Sequence, residues 1–201
     1  MYLLKEKIFP GSISADEIRQ IKQFYKIRRM PEYFLSLLYA LHQMELSVEE
    51  KADLGIIYAS HLGPVNEVGK YVNDLLTFPP DQCSPAYFSH SVFNAPVAFL
   101  TKYMEIYGSS LCLCGFQQLI ESSVQSAYAW LECGYCRRVL IIYSDDRTAL
   151  ADTITDLTGL KTFQATHILL LSSESTGENP VVCSPETIIE KVKQQYQCGG
   201  F

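Results

Sequence analysis

Gly108-Ser109-Ser110-Leu111-Cys112-Leu113-Cys114-Gly115-Phe116-Gln117-Gln118 opens the stretch that decides the fold. Its residues 109–114 are a short run bounded by a glycine on each side, which predicts a strand. Residues 119–132 follow as a long helix, and Gly134 supplies its stop. Arg138-Val139-Leu140-Ile141-Ile142-Tyr143-Ser144-Asp145-Asp146 then carries a second apolar strand over residues 139–143. Asp145 and Asp146, at that strand's end, are expected to cap the turn or helix that follows.

Working outward, residues 15–25 place Ile18, Ile21, Phe24 and Tyr25 at helical spacing behind a Ser14 cap. Pro31 opens a helix with Phe34, Leu37, Leu38 and Leu41 as its apolar stripe. Residues 54–59 (Leu-Gly-Ile-Ile-Tyr-Ala) read as a buried strand. Gly63-Pro64 opens a helix carrying Val65, Val68, Val72, Leu75 and Leu76, which Pro79-Pro80 ends. Residues 93–107 read as helix and residues 168–171 as strand. Residues 173–179 form a polar loop, and Ser184-Pro185 caps a last helix with Ile188, Ile189, Val192 and Tyr196 on one face. Strands alternating with helices predict an α/β fold with a mainly parallel sheet covered on both faces.

With 201 residues, 48% of them apolar, the chain is expected to form one domain over residues 1–201. A net charge of −6 gives no electrostatic footprint for nucleic acid. No run of eighteen apolar residues exists to span a membrane, and the apolar run at Met1-Tyr2-Leu3-Leu4 is too short for a signal peptide. A cytoplasmic protein is therefore expected. Seven cysteines, an odd number without repeating spacing, suit reduced thiols rather than a disulfide framework.

Upstream of the opening stretch lies Ser84-Pro85-Ala86-Tyr87-Phe88-Ser89-His90-Ser91-Val92-Phe93-Asn94-Ala95. Together the two segments resemble the N-terminal half of a β-ketoacyl synthase, most closely the short ketoacyl-synthase-like branch with a Phe-Ser-x-Ser-Val-x-Asn-Ala signature. The resemblance is good over residues 84–146, looser over 28–77 and weak beyond 152. It implies half of a thiolase-like fold, a mainly parallel mixed sheet flanked by helices, without the C-terminal half. With Asn94 fixing the register, the family's nucleophilic cysteine falls on Gln117, in the turn Gly115-Phe116-Gln117. Glutamine there resembles chain-length factors, the catalytically silent partners of ketosynthases, and also loading ketosynthases that only decarboxylate.

Condensation on acyl carrier protein needs a thiolate to hold the acyl chain, and a carboxamide cannot be acylated in its place. The family's enolate-stabilising histidines come from the other half. Of the four histidines here, His90 falls near the site by register, yet Phe93 occupies the family's usual histidine position beside Asn94. A structural role is expected for His42, His61, His90 and His167. Cys112 and Cys114 share one strand face and read as buried small hydrophobes rather than substitute nucleophiles. Cys133-Gly134-Tyr135-Cys136 matches a redox motif in letters. It falls at a helix C-terminus, where the dipole opposes a thiolate. Cys183 and Cys198 do not complete a zinc site, so no metal and no cofactor is expected.

By register, Tyr87 reaches across a dimer to the partner's acyl pocket with Phe88 beside it. Val65, Val68 and Val72 fall near the family's tunnel-gating positions, although a valine stripe at this spacing is usually a core face. The strand over Ser109, Ser110, Leu111, Cys112, Leu113 and Cys114, with Asn94, is implied as the dimer interface. Lys22, Lys26, Arg28 and Arg29 form the one basic cluster, either a solvated face or a docking patch for an acidic carrier protein. The resemblance thus implies a non-catalytic chain-length-factor-like subunit of a full-length ketosynthase, as heterodimer or heterotetramer, engaging acyl carrier protein indirectly. Aryl polyene synthesis is the pathway it suggests. The rivals are a malonyl-carrier-protein decarboxylase using Gln117 and an interaction module without an acyl role.

Overall fold

The computed structural model describes residues 1–115, 117–175 and 180–197. Six strands, β1 (Tyr2–Pro10), β2 (Leu54–Ser60), β3 (Ser110–Cys114), β4 (Arg138–Tyr143), β5 (Ala165–Ser172) and β6 (Val181–Val182), form one sheet in the order β3-β2-β4-β5-β1-β6. The helices are α1 (Ala15–Phe24), α2 (Glu32–His42), α3 (Val48–Lys51), α4 (Val65–Thr77), α5 (Pro85–Ser91), α6 (Ala95–Met104), α7 (Leu119–Glu132), α8 (Ala149–Thr158) and α9 (Pro185–Gln197).

Helix boundaries follow local chemistry. Ser14 Oγ accepts from the Glu17 amide, and the Glu17 carboxylate accepts from the Ser14 amide, a reciprocal capping box at the start of α1. α7 runs over the expected span and ends where Gly134 takes φ 65°. Ser184 Oγ accepts from the Thr187 amide at the start of α9.

β2 is buried along its whole length because it lies between β3 and β4 with helices above and below. Alternate residues point to opposite faces. Ile56, Tyr58, Leu140 and Ile142 pack under α2 and α6, whereas Ile57, Ala59, Ile141 and Tyr143 pack under α7 and α9. The α/β fold with a mixed, two-sided sheet is as the sequence implies.

Three details differ from expectation. Parallel pairing is confined to β3-β2-β4, while β4–β5, β5–β1 and β1–β6 are antiparallel, so the parallel share is smaller than expected. Much of this follows from β1, which the sequence pattern hid. Lys5, Glu6 and Lys7 interrupt its apolar run, yet Lys5 reaches Glu50 (2.8 Å) and Glu6 pairs with His167 (3.0 Å). Cys112 is only partly buried and Cys114 is exposed, because β3 is an edge strand and not a core one. The valine stripe is also not core throughout: Val65 is buried, whereas Val68 and Val72 are 38% and 47% exposed.

Candidate functional site

Parallel strands β2, β3 and β4 end at one level, since Ser60 pairs with Cys114 and Ala59 with Tyr143. Polar residues at those ends therefore meet. Asp145, fully buried, is the hub. Its Oδ1 accepts from Ser60 Oγ (2.6 Å), the His61 amide (2.7 Å) and the Leu62 amide (2.9 Å). Its Oδ2 accepts from His61 Nδ1 and the Phe163 amide, both at 2.8 Å. Burial pushes the Asp145 carboxyl up, but the His61 hydrogen bond and charge, the Ser60 hydroxyl and the Leu62 amide outweigh it, leaving it below its ordinary range.

Asp146 behaves in the opposite way. Among the described residues, its Oδ2 accepts only from the Asn66 amide in the first turn of α4 (3.1 Å). Burial, reinforced by the neighbouring Glu67 charge, pushes its carboxyl up to about 6. Glu67 is itself buried and accepts from Lys70 at 2.6 Å. Glu32, Tyr33, Lys70 and Arg147 join these acids around a cavity of about 200 Å³. Tyr33 donates to the Ser144 carbonyl (3.1 Å) and its hydroxyl lies 2.6 Å from that of Tyr58, which ties α2 to the same strand ends.

β3 leads into α7 through the turn that carries Gln117. Phe116 lies outside the described residues, as do 176–179 of the polar loop and Cys198. Gln117 is exposed, and Gln118 takes the left-handed conformation (φ 58°) as the N-cap of α7 without a side-chain cap bond. Gln118 lines a cleft of about 630 Å³ with His61, Glu121, Phe163, Lys193 and Tyr196. Asp145 fixes the His61 ring, whose centroid lies 4.4 Å from that of the tilted Phe163 ring. The cleft thus offers an oriented imidazole beside a helix N-terminus. Burial raises both nearby thiols, Cys112 to about 11 and Cys114 upward with help from the Asp145 charge, so neither supplies a thiolate at neutral pH.

His61, expected to be structural like the other histidines, is held by Asp145 and also lines this cleft. The other three do structural work: His42 Nδ1 bonds the Tyr25 hydroxyl (3.0 Å), His90 packs on Phe34 and His167 bonds Glu6. Asp145 and Asp146 were expected as local caps. Asp145 instead links three chain segments, and Asp146 reaches the first turn of α4 eighty residues earlier in sequence. A signal for both existed in the sequence, where two apolar strands end in Ser60-His61 and Ser144-Asp145. Cys133–Cys136 does fall at the C-terminus of α7. Among the described residues no cluster of three His, Cys, Asp or Glu side chains is placed to hold a metal.

Two further surfaces are exposed. β3 is the edge of the sheet, and among the described residues its outer side has no strand partner. α4 packs against α5, where the Tyr71 and Phe88 rings lie 5.6 Å apart. Val68, Val72, Leu75, Phe78 and Phe88 are all exposed there, with Tyr87 half-buried. The structure thus gathers Val68, Val72, Tyr87 and Phe88 on adjoining helices, while Val65 turns inward. Asn94 is the exposed N-cap of α6. Lys26, Arg28 and Arg29 are exposed beyond the end of α1. No helix among the described residues is long and apolar enough to cross a membrane.

The model of the β-ketoacyl synthase N-terminal domain matches residues 15–175. No curated protein matches the chain. The ketosynthase ApeO in complex with its chain length factor ApeC from Xenorhabdus doucetiae is similar in structure, at 16% identity and TM-score 0.56 over 86% of this chain and 78% of that one. The ishigamide ketosynthase/chain length factor is similar at 12% identity and TM-score 0.56, over 64% of this chain and 38% of that one. A β-ketoacyl synthase from Burkholderia phymatum gives 14% identity and TM-score 0.51, over 80% of this chain and 45% of that one. The chain therefore spans less than half the length of the last two. At these identities the likeness is one of fold.

Proposed function

Because the chain belongs to the β-ketoacyl synthase N-terminal domain family, we propose that it is a chain-length-factor-like, non-catalytic subunit that pairs with a ketosynthase and bounds its acyl tunnel. The observation that carries this reading is Gln117 in the turn between β3 and α7, onto which the sequence resemblance carries the family's nucleophile. An amide there holds no acyl group. The raised thiols of Cys112 and Cys114 offer no replacement.

The unpaired outer side of β3 supports a partner that extends the sheet, since an exposed strand edge is a template for pairing. The exposed apolar residues of α4 and α5 support an adjoining covered surface that Tyr87, Phe88, Val68 and Val72 share with the acyl chain. Lys26, Arg28 and Arg29 remain a docking patch for an acidic carrier protein, reached through the complex. Residues 1–201 act as one domain in the cytoplasm, and aryl polyene synthesis is the pathway proposed.

Co-expression with a candidate ketosynthase followed by size-exclusion chromatography tests the reading. Co-elution as a heterodimer or heterotetramer, with condensation that needs the partner's cysteine and survives Gln117→Ala, is the expected result. A decarboxylase is the second reading, favoured by the His61 imidazole lying in the same cleft as Gln118. Carbon dioxide release from malonyl carrier protein by this chain alone, lost in Gln117→Ala, would replace the first reading with the second.

A further inference from the structure

β5 and β1 meet α9 around a further and smaller cavity. It measures about 120 Å³ and is lined by Ile8, Thr162, Gln164, Ala165, His167, Gln195 and Tyr196. Strand register explains its walls. Ile8 pairs directly with His167, and Ala165 lies two residues from His167, so these side chains share one face of the sheet. α9 roofs that face, with Lys191 bonded to Glu6 one turn before Gln195 and Tyr196.

Two polar atoms in this wall have no partner among the described residues. His167 is 1% exposed, and its Nε2 bonds Glu6 Oε1 (3.0 Å), but its buried Nδ1 bonds nothing. The Tyr196 hydroxyl is likewise buried and unbonded. A buried polar group left alone is costly, and two of them around one cavity call for a bridging group. Their roles are complementary. A neutral His167 that donates from Nε2 to the Glu6 carboxylate presents Nδ1 as an acceptor, and the Tyr196 hydroxyl can donate. A single hydroxyl satisfies both. The rest of the wall sets its body: Ile8, Ala165 and the Tyr196 ring are apolar, and about 120 Å³ is somewhat below the roughly 150 Å³ of a dry cavity that accepts benzene, so the guest is small.

We propose that this cavity binds a small neutral hydroxyl compound, a short alcohol or a phenol, with the hydroxyl bridging His167 Nδ1 and Tyr196 Oη. The site is separate from the proposed tunnel surface on α4 and α5 and does not depend on it. Its roof is nonetheless shared, because Tyr196 and Thr162 also line the larger cleft with His61 and Gln118. A guest in the small cavity therefore touches the wall of the large one.

The test is titration of the full chain with phenol, and with benzene as the guest lacking a hydroxyl, followed by nitrogen-15 NMR of the histidine rings. Phenol is expected to shift the His167 Nδ1 signal while leaving His42 unmoved, and to bind at least about tenfold more tightly than benzene, the worth of two net hydrogen bonds. Tyr196→Phe, which keeps the ring, should abolish that preference. Equal binding of the two guests, an unmoved His167 signal, or a preference that survives Tyr196→Phe would overturn the assignment and leave a cavity that holds water alone.

Discussion

Replacing Asp145 with asparagine changes one atom and tests the hub on which the strand ends converge. The carboxylate accepts five hydrogen bonds, three at Oδ1 and two at Oδ2. Asparagine keeps one oxygen, which the three donors from Ser60, His61 and Leu62 would retain. Its NH₂ then faces the Phe163 amide and His61 Nδ1. His61 can move its proton to Nε2 and accept, but the Phe163 amide can only donate. An unsatisfied buried amide costs about 1–3 kcal/mol, and each of three bonds to a charged acceptor weakens by about 1 kcal/mol on becoming neutral. The total is roughly 4–6 kcal/mol, at the upper end of the range of about 3–5 kcal/mol for breaking a buried charged network. For a chain of this length the expected drop in melting temperature is roughly 10 °C. Thermal and urea melts followed by circular dichroism measure it. A loss below about 1 kcal/mol would refute the reasoning, because it would mean that the five donors do not depend on the charge.

The neighbouring carboxyl gives a pH effect of the opposite sign. Asp146 rises from 3.8 to about 6 on folding, so its contribution is fully present below the unfolded value and is lost as pH rises through about 6. Stability should therefore fall by up to about 3 kcal/mol across that window, and Asp146→Asn should flatten the slope; an unchanged slope would count against it. Asp145, held below 3.8, adds stability above its unfolded value that is lost as pH falls through its folded one. Gly108→Ala should destabilise by at least about 2 kcal/mol in a thermal melt, since overpacking is costly and a Cβ there would sit 2.1 Å from the Leu54 carbonyl oxygen. Ser110→Lys with Cys114→Lys, both at exposed positions of β3, should change monomer stability by less than about 0.5 kcal/mol while abolishing co-elution with a ketosynthase. Val68→Phe should shorten the product of the complex by mass spectrometry, and an unchanged product would remove Val68 from the tunnel.

What the sequence made legible, and what it hid, divides along burial. Residues 54–60 and 138–143 are covered on both faces, so their apolar runs are continuous and readable. α7 has a glycine stop and is equally plain. β1 was invisible because its charged residues are partnered by loops and helices far away in sequence, such as Lys5 with Glu50 and Glu6 with Lys191. α8 buries only Ala151, so no apolar period marks it. At the site, Gln117 was found through its motif, whereas the His61–Asp145 contact joins residues 84 apart and required the parallel register of β2 and β4.

The pairing of β1 with β5 has a consequence for biosynthesis. Tyr2 lies opposite Ser172, so β1 pairs only once a strand far later in the sequence has been synthesised. Until then Phe9 has only the cluster of α1 and α2 to cover it, while Leu3, which packs with α7 and α9, has no cover at all. Such long sequence separations slow the search for the native state. Translation pauses or chaperone supply, rather than final stability, would then govern the yield of this polypeptide in a foreign host.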